Sequence, residues 1–287
     1  MKKFLFIVSL SIVFLSTIFV YQYVYFYDNK LHVVFCNAGQ GDAIFIKTPS
    51  NAYILVDGGP DKSVLSCLSN HMPFWERTLD IVFLTHPHAD HFLGLMDVVD
   101  RYITLSFDTE RLGNKTQSFK GLSKIIAEKK IPQRAIFEGD RYRLGDDIFL
   151  EVEAPSLEFL QRSSPNGMIG EGGELASLIL KLEYKDFDVL LTGDSQSEAL
   201  SGVVSQNYDS IEVLQVPHHG SKTGLNKEIV NDLVPKLAVI SVGAANRYGH
   251  PNRGVLQMLT EKGIAVLRTD QKGDIEIVSD GRGFFVK

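Results

Sequence analysis

An α/β domain with sheets at its centre, preceded by one membrane-spanning helix, is the fold class that this sequence predicts. Three observations carry it. An apolar run fills residues 4–26. From Leu31 onward, short β-branched runs alternate with segments of helical periodicity. Several of the predicted strands then end in histidine or aspartate. A chain of 287 residues is long enough to bury a sizeable core, and its 44% apolar and 22% charged content is that of an ordinary globular protein. A net charge of −6 gives no whole-chain footprint for nucleic acid, although metal ions can recruit phosphate without a basic surface.

Lys2 and Lys3 precede the apolar run, which only small hydroxyls and Gln22 interrupt. About 20 apolar residues cross a bilayer as helix. A cleaved signal peptide has a shorter apolar region and small residues at its end, whereas this run ends in FVYQYVYFYD. Tyr21, Tyr23, Tyr25 and Tyr27 suit the aromatic belt of a membrane interface. Residues 1–28 therefore read as an uncleaved signal-anchor with its lysines cytoplasmic and residues 31–287 as an extracytoplasmic domain. The competing reading is a signal peptide whose cleavage secretes the domain. The two cysteines, Cys36 and Cys67, are too few for a disulfide scaffold; export permits a single bond between them, which the sequence alone does not show, and each reads as a small buried apolar residue.

LHVVF, DAIFIKT and AYILVDGG are predicted strands, with SN as the turn between the last two. DKSVLSCLSNHM reads as a helix, DIVFLTH as a buried strand and FLGLMDVVDRY as a helix. A strand ITLSF, a polar GNKTQ turn and a helix at LSKIIAEKK follow. IFLEVEAP is a strand stopped by Pro155, and SSPNGMIGEGGE is a Gly/Ser-rich loop. ASLILKLEY and DFDVLLTGD pair around a KD turn. The second half then brings strands IEVLQVPHH, LAVISVG, IAVLRTD and DIEIVS, with helices at NKEIVNDLV and VLQMLTEKG. No linker divides it.

The chemistry begins at THPHADH, residues 85–91, which holds three of the eight histidines directly after an apolar run. His86 and His88, two apart on an extended segment, can face one ion. Asp90 and His91, where the chain turns into a helix, can serve a second beside it. Asp194 closes DVLLTGD, where a carboxylate can bridge two ions, and His218 and His219 follow IEVLQVP. Asp57, at the end of AYILVDGG, is placed to orient a ligand histidine. One such residue at a strand end is often a turn residue or helix cap. Four strands ending this way point to a dinuclear centre that polarises a substrate and activates water.

THPHADH, ILVDGG, LLTGD and VPHHGS together resemble the metallo-β-lactamase fold, a four-layer αββα sandwich with a dinuclear site at the sheet edges. Within it, CNAGQGDAIFI, SVGAANRYGHP and LRTDQKGDIEI are similar to the extracellular domain of ComEC-type competence (DNA-uptake) proteins, over about residues 31–287. This chain reads as a free-standing relative with one membrane span, so a transport role does not carry over. The resemblance implies two divalent ions, zinc or manganese. The first would take His86, His88 and Asp194; the second, Asp90, His91, Asp194 and one of His218/His219. Resemblance favours His219 as ligand, with His218 contacting substrate. The sequence alone does not separate them. Lactamase-type members place a third histidine between His91 and Asp194, an interval without histidine here; Ser177 falls near that position. Glu174 stands where the competence branch has Asn, and Asn37 where it has an acid before GQGD.

The expectation that follows is hydrolysis of a phosphodiester, in nucleic acid such as DNA or in an envelope polymer, by a metal-bound hydroxide. Asp90, His218, Lys222 and His250 are the candidate catalytic residues, Lys222 and His250 to steady phosphate or protonate the leaving oxygen. Hydrolysis of a lactone or thioester, or a metal-stabilised envelope module that binds without turnover, are the alternatives.

Overall fold

The computed structural model describes residues 1–145, 147–169, 176–205 and 211–287. After α1 (Lys2–Phe26) come β1 (Leu31–Phe35), β2 (Ile44–Lys47), β3 (Tyr53–Val56), α2 (Ser63–His71), β4 (Thr78–Leu79), β5 (Ile81–Leu84), α3 (Ala89–Arg101), β6 (Ile103–Thr104) and β7 (Phe107–Thr109). The chain continues through α4 (Gln117–Glu128), β8 (Gln133–Ala135), β9 (Arg141–Arg143), β10 (Ile148–Ala154), α5 (Leu157–Ser163), β11 (Ile179–Tyr184), β12 (Phe187–Leu191), α6 (Ser197–Val204) and β13 (Val213–Gln215). A 3₁₀ turn at Pro217–Gly220 precedes α7 (Lys227–Leu233), β14 (Leu237–Ile240), α8 (Arg253–Glu261), β15 (Ala265–Arg268), α9 (Thr269–Lys272), β16 (Ile275–Ser279) and β17 (Phe284–Val286).

Two sheets result, ordered β17-β16-β1-β2-β3-β5-β7-β8 and β15-β14-β13-β12-β11-β10-β9. Each has an antiparallel part and a parallel part. The parallel part starts where helices take over the connections: α2, α3 and α4 in the first sheet, α6, α7 and α8 in the second. Period-two alternation then sorts side chains into layers. Leu31, Val33 and Phe35 of β1 enter a core between the sheets with Leu150, Leu182 and Val189, while Val34 joins Leu68, Leu95 and Val98 beneath the first helices. Leu190, Leu214 and Ile240 do the same beneath the second helices. Three apolar cores separate four layers, αββα, as the resemblance implies.

Several local readings change. ITLSF is two strands: β6 pairs with β4 in a separate two-stranded ribbon, and only Phe107 onward joins the main sheet beside Val82. Helices α5 and α6 were not legible as periodic runs. The first is set by Ser156, whose hydroxyl accepts from Phe159 N. IAVLRTD stops as a strand at Arg268, where the one-turn α9 begins. The cysteines are not separate apolar residues: Cys36 and Cys67 form a disulfide. Cys36 faces the helices at the end of β1 and Cys67 sits on the face of α2 packed there, so their Cα atoms lie 5.7 Å apart, within bridging range. Helix α1 is exposed except at its C-terminal end, where Gln22 is half-buried and Phe26 buried, and with mean hydropathy 2.5 in its most apolar window it is long and apolar enough to cross a membrane.

Candidate metal centre

The parallel strands deliver their C-terminal ends to one edge of the sandwich, the usual location of sites in α/β sheets. Asp57 follows β3, Thr85 and His86 follow β5, Asp194 follows β12 and His218–His219 follow β13. Asp90 and His91 lie in the first turn of α3. Asp194 is the hub. Its Oδ1 stands 3.3 Å from His91 Nε2 and 3.5 Å from His219 Nε2, and its Oδ2 stands 3.8 Å from His86 Nε2 and 3.7 Å from His218 Nε2. His88 Nδ1 is 2.9 Å from His86 Nε2, and Asp90 Oδ2 is 3.6 Å from His219 Nε2. One carboxylate thus faces two groups of histidines with its two oxygens.

Partners on the far side of each ring determine which nitrogen faces the centre. The Thr85 hydroxyl stands 3.1 Å from His86 Nδ1, Asp57 accepts from His91 Nδ1 at 2.7 Å, and the Ser241 carbonyl accepts from His219 Nδ1 at 3.0 Å. Each Nδ1 then carries its proton, leaving an Nε2 lone pair turned inward. Asp57 is itself fixed by Thr85, whose N–H and hydroxyl donate to its two oxygens at 2.8 and 2.7 Å. His218 is different. The Gln196 amide nitrogen faces its Nδ1 at 3.3 Å, so Nδ1 accepts and the proton sits on Nε2, on the Asp194 side. Two adjacent histidines therefore have opposite tautomers: a lone pair from His219 and a donor from His218.

The backbone bends sharply to place them. His218 and His219 both adopt left-handed φ, 51° and 55°, rare for non-glycine residues and characteristic of strain held at a functional site. Close approach does similar work at Gly41: a Cβ there would lie 2.1 Å from Asp90 O, so only glycine lets the GQGD turn press on the loop carrying Asp90.

The residues fit metal ions. His91 Nε2, His219 Nε2 and Asp194 Oδ1 are buried without hydrogen-bond partners although they face one another, an arrangement that costs stability unless something satisfies all three. Imidazole nitrogens with carboxylate oxygens form the donor set of zinc and manganese. Around Asp194, two groups present ligand atoms close enough for an ion: His86, His88 and Asp194; and His91, Asp194 and His219 with Asp42. Electrostatics agree. Burial works against charge on every group, yet the carboxylates Asp194, Asp42 and Asp90 outweigh it at His219 and raise its pKa to about 9. Asp194 and Asp57 likewise hold His91 well above the usual range. Burial, reinforced by His91, keeps His86 neutral. Despite its burial, Asp194 is held well below the carboxylate range by His219, His91 and His86. Without metal, protons stand where cations would.

Other residues fall around this centre. Ser177 is buried behind His86, its hydroxyl 3.5 Å from Nδ1 and accepting from Asp194 N at 3.2 Å, so it supports the site from the rear. The His250 ring is 5.8 Å from that of His218 and stacks on Tyr248 at the mouth. Lys222 is exposed just beyond the 3₁₀ turn, without an ion pair to the cluster. Asn37 does not approach the centre; its N–H donates to Asp274 at 2.8 Å. Glu174 lies outside the described residues. Asp42, the acid of GQGD, went unnoticed in the sequence: it is buried, 3.8 Å from His219 Nδ1, and accepts from Gln215 at 2.8 Å. Burial pushes its carboxyl up to about 6 against the pull of His219 and His91. A groove of about 430 Å³ opens at Asp90 and runs past Gln40 to Arg247 and Tyr248.

Comparison with known proteins places this geometry in a family. ComE operon protein 3 of Bacillus subtilis is 31% identical over 260 residues, covering 83% of this chain and 32% of that protein. Competence protein ComA of Neisseria gonorrhoeae is 28% identical over 268 residues, covering 89% and 33%. The chain thus spans about a third of the length of these ComEC-type relatives. Among solved structures, CmlA, a diiron β-hydroxylase from Streptomyces venezuelae, has the same fold at TM-score 0.53 and 15% identity, over 83% of this chain and 52% of that one. The metallo-β-lactamase superfamily model matches residues 36–244, from the disulfide cysteine at the end of β1 to the loop beyond β14. The match encloses every residue gathered around Asp194, and the chain belongs to the metallo-β-lactamase superfamily.

Proposed function

We propose that this protein is a membrane-anchored, extracytoplasmic metallohydrolase that cleaves phosphodiesters in nucleic acid or a cell-envelope polymer, using two zinc or manganese ions. The superfamily binds divalent metals, often two, and is usually hydrolytic. The phosphodiester reading is carried by the groove that opens directly at Asp90. It is an open trough, suited to a chain passing along it, with the Arg247 guanidinium, which lies over the Tyr248 ring, placed to meet a phosphate. Asn246 fixes this wall, donating to the Gly243 and His250 carbonyls at 2.9 and 2.8 Å.

His86, His88 and Asp194 would hold one ion; Asp90, His91, Asp194 and His219 would hold the other. Bound there, the pair supplies Lewis acidity and lowers the pKa of water. The protein supplies the rest. His218, with its proton on Nε2, donates to substrate or leaving-group oxygen, and Gln196 holds it in that tautomer. His250 is kept neutral by burial and by the neighbouring His218 and His219, so it can accept or relay a proton at the mouth. Lys222 adds a solvated positive charge three residues from His219. The lack of a third histidine beside His86 and His88 leaves room for an oxygen-rich group, which supports a phosphodiester over a β-lactam. The likeness to competence proteins supports nucleic acid as the substrate.

The test is the full chain in detergent, loaded with zinc or manganese and assayed on bis-p-nitrophenyl phosphate, single-stranded DNA and a thioester. Metal-dependent phosphodiester cleavage, lost in Asp90→Ala, is expected. Two bound metals per chain with no turnover on any substrate would sink the proposal and favour a binding module.

A further inference from the structure

The β4/β6 ribbon belongs to neither main sheet, and its surroundings are unusually apolar for an exposed edge. Phe74, Ile103 and Leu105 are 58%, 61% and 50% exposed. The ribbon fixes Ile103 and Leu105, whose N–H groups donate to Arg77 O at 2.7 Å and Leu79 O at 3.0 Å, and Phe74 lies in the loop that leads into it. The loop leading into it touches α1. The Trp75 ring lies 4.8 Å from that of Phe19 and 4.9 Å from that of Phe74, and Phe74 N donates to Gln22 at 3.4 Å.

The depth of Phe19 makes this contact informative. Phe4 to Tyr23 is 20 residues, about 30 Å of helix, which matches the hydrocarbon thickness of a bilayer. Tyr21, Tyr23 and Tyr25 then lie at the outer interface, and Phe19 about 6 Å below Tyr23. A ring packed against Phe19 cannot stand in bulk water if α1 crosses the bilayer. The helix is also tied to the domain beyond the interface: Lys287 donates to the Tyr25 hydroxyl at 2.8 Å, and Asp28 accepts from Lys47 at 3.2 Å and from His32 at 2.9 Å. These ties hold the ribbon and the helix in register.

We propose that Phe74, Trp75, Ile103 and Leu105 form a second membrane contact, seated in the outer lipid interface beside α1. The proposal rests on the reading of α1 as a bilayer span. Lipid is the occupant that the geometry favours, because the patch is continuous with the apolar surface of α1 itself. Trp75 is of the type that collects at such interfaces.

Trp75 is the only tryptophan in the chain, so its fluorescence reports this contact alone. The full chain is reconstituted into phosphatidylcholine liposomes with and without lipids brominated in the upper acyl chain, and floated on a density gradient. The expected result is co-flotation, blue-shifted emission, loss of most of that emission to the brominated lipid, and protection from aqueous iodide. Phe74→Ser with Ile103→Ser should shift the emission to the red and restore iodide quenching while the chain still floats. A chain that fails to float overturns the reading of α1 and the contact with it. A floating chain whose Trp75 is quenched by iodide and not by bromolipid overturns the contact alone. Protection from both quenchers overturns it in favour of a protein partner or second copy.

Discussion

His218 and His219 are chemically identical and adjacent, yet the groups behind them give them different work. The Ser241 carbonyl behind His219 frees its Nε2 lone pair, whereas the Gln196 amide behind His218 places a proton there. His219→Asn is therefore expected to remove about one zinc per chain, measured by metal analysis after dialysis. His218→Asn should keep both zincs and lower kcat about 10²-fold, the typical contribution of a positioned acid or base. A second expectation concerns protons. His219 is raised to about 9, so the metal-free protein at pH 7.5 holds a proton on a nitrogen that zinc would take. Titration calorimetry in buffers of different ionisation enthalpy should register at least one proton released per chain on zinc loading. The ligand-type residues were legible because each ends an apolar strand. Asp42 was not: the glycines of GQGD draw the eye, and its carboxyl gains meaning only when folding brings the β1–β2 turn beside His219. No spacing rule contains that contact.

Strands and helices with strong periodicity appear where the sequence places them, because their apolar faces are all they need to find their layer. ITLSF misleads for a physical reason. Its five residues read as one strand, with apolar and hydroxyl side chains alternating, but Ser106 O accepts from Val82 while Leu105 N turns to Leu79, so it is divided between two sheets. Helices as short as α5 and α6, seven and eight residues, carry too few turns for a periodic signal and depend on their caps and packing. The turn at Gly41 offers a sharper test of how loops set the site. Gly41→Ala would drive its Cβ into Asp90 O, so the loops must part. The expected outcome is a loss of roughly 1–3 kcal/mol in urea unfolding, as for overpacking. Zinc affinity should weaken in parallel, since Asp90 moves.

The four layers stand on ordinary apolar alternation, but the end of the molecule nearest α1 is held by polar and covalent ties. Reducing Cys36–Cys67, which closes 31 residues of chain, should lower stability by about 3–4 kcal/mol in the chain-entropy account, measured by urea unfolding of the full chain in detergent with and without dithiothreitol. Beside it, burial opposes charge on Asp28, Asp274 and Glu276, yet His32 and Lys47, His71, and His32 with Lys287 respectively hold their carboxyls below the ordinary range. Carboxyls depressed in the fold stabilise it above their ordinary values, near 3.8 and 4.5, and lose that contribution as pH falls through the lower folded values. Their contribution should be complete above about pH 5 and lost below about pH 4, and Asp274→Asn should flatten the fall in melting temperature across that window. The same end of the sheet has a further consequence through strand polarity. His32 pairs with Lys47 and Lys47 with Tyr53, next to the start of β5, whereas His86 follows its other end, five residues and about 17 Å away. Only four residues separate α1 from β1, so this end of the sheet stays beside the helix and the centre lies toward the other end. On the proposed membrane the enzyme would not search a volume. It would diffuse in two dimensions, sweeping a thin shell beside the surface, so polymer threading that shell is within reach.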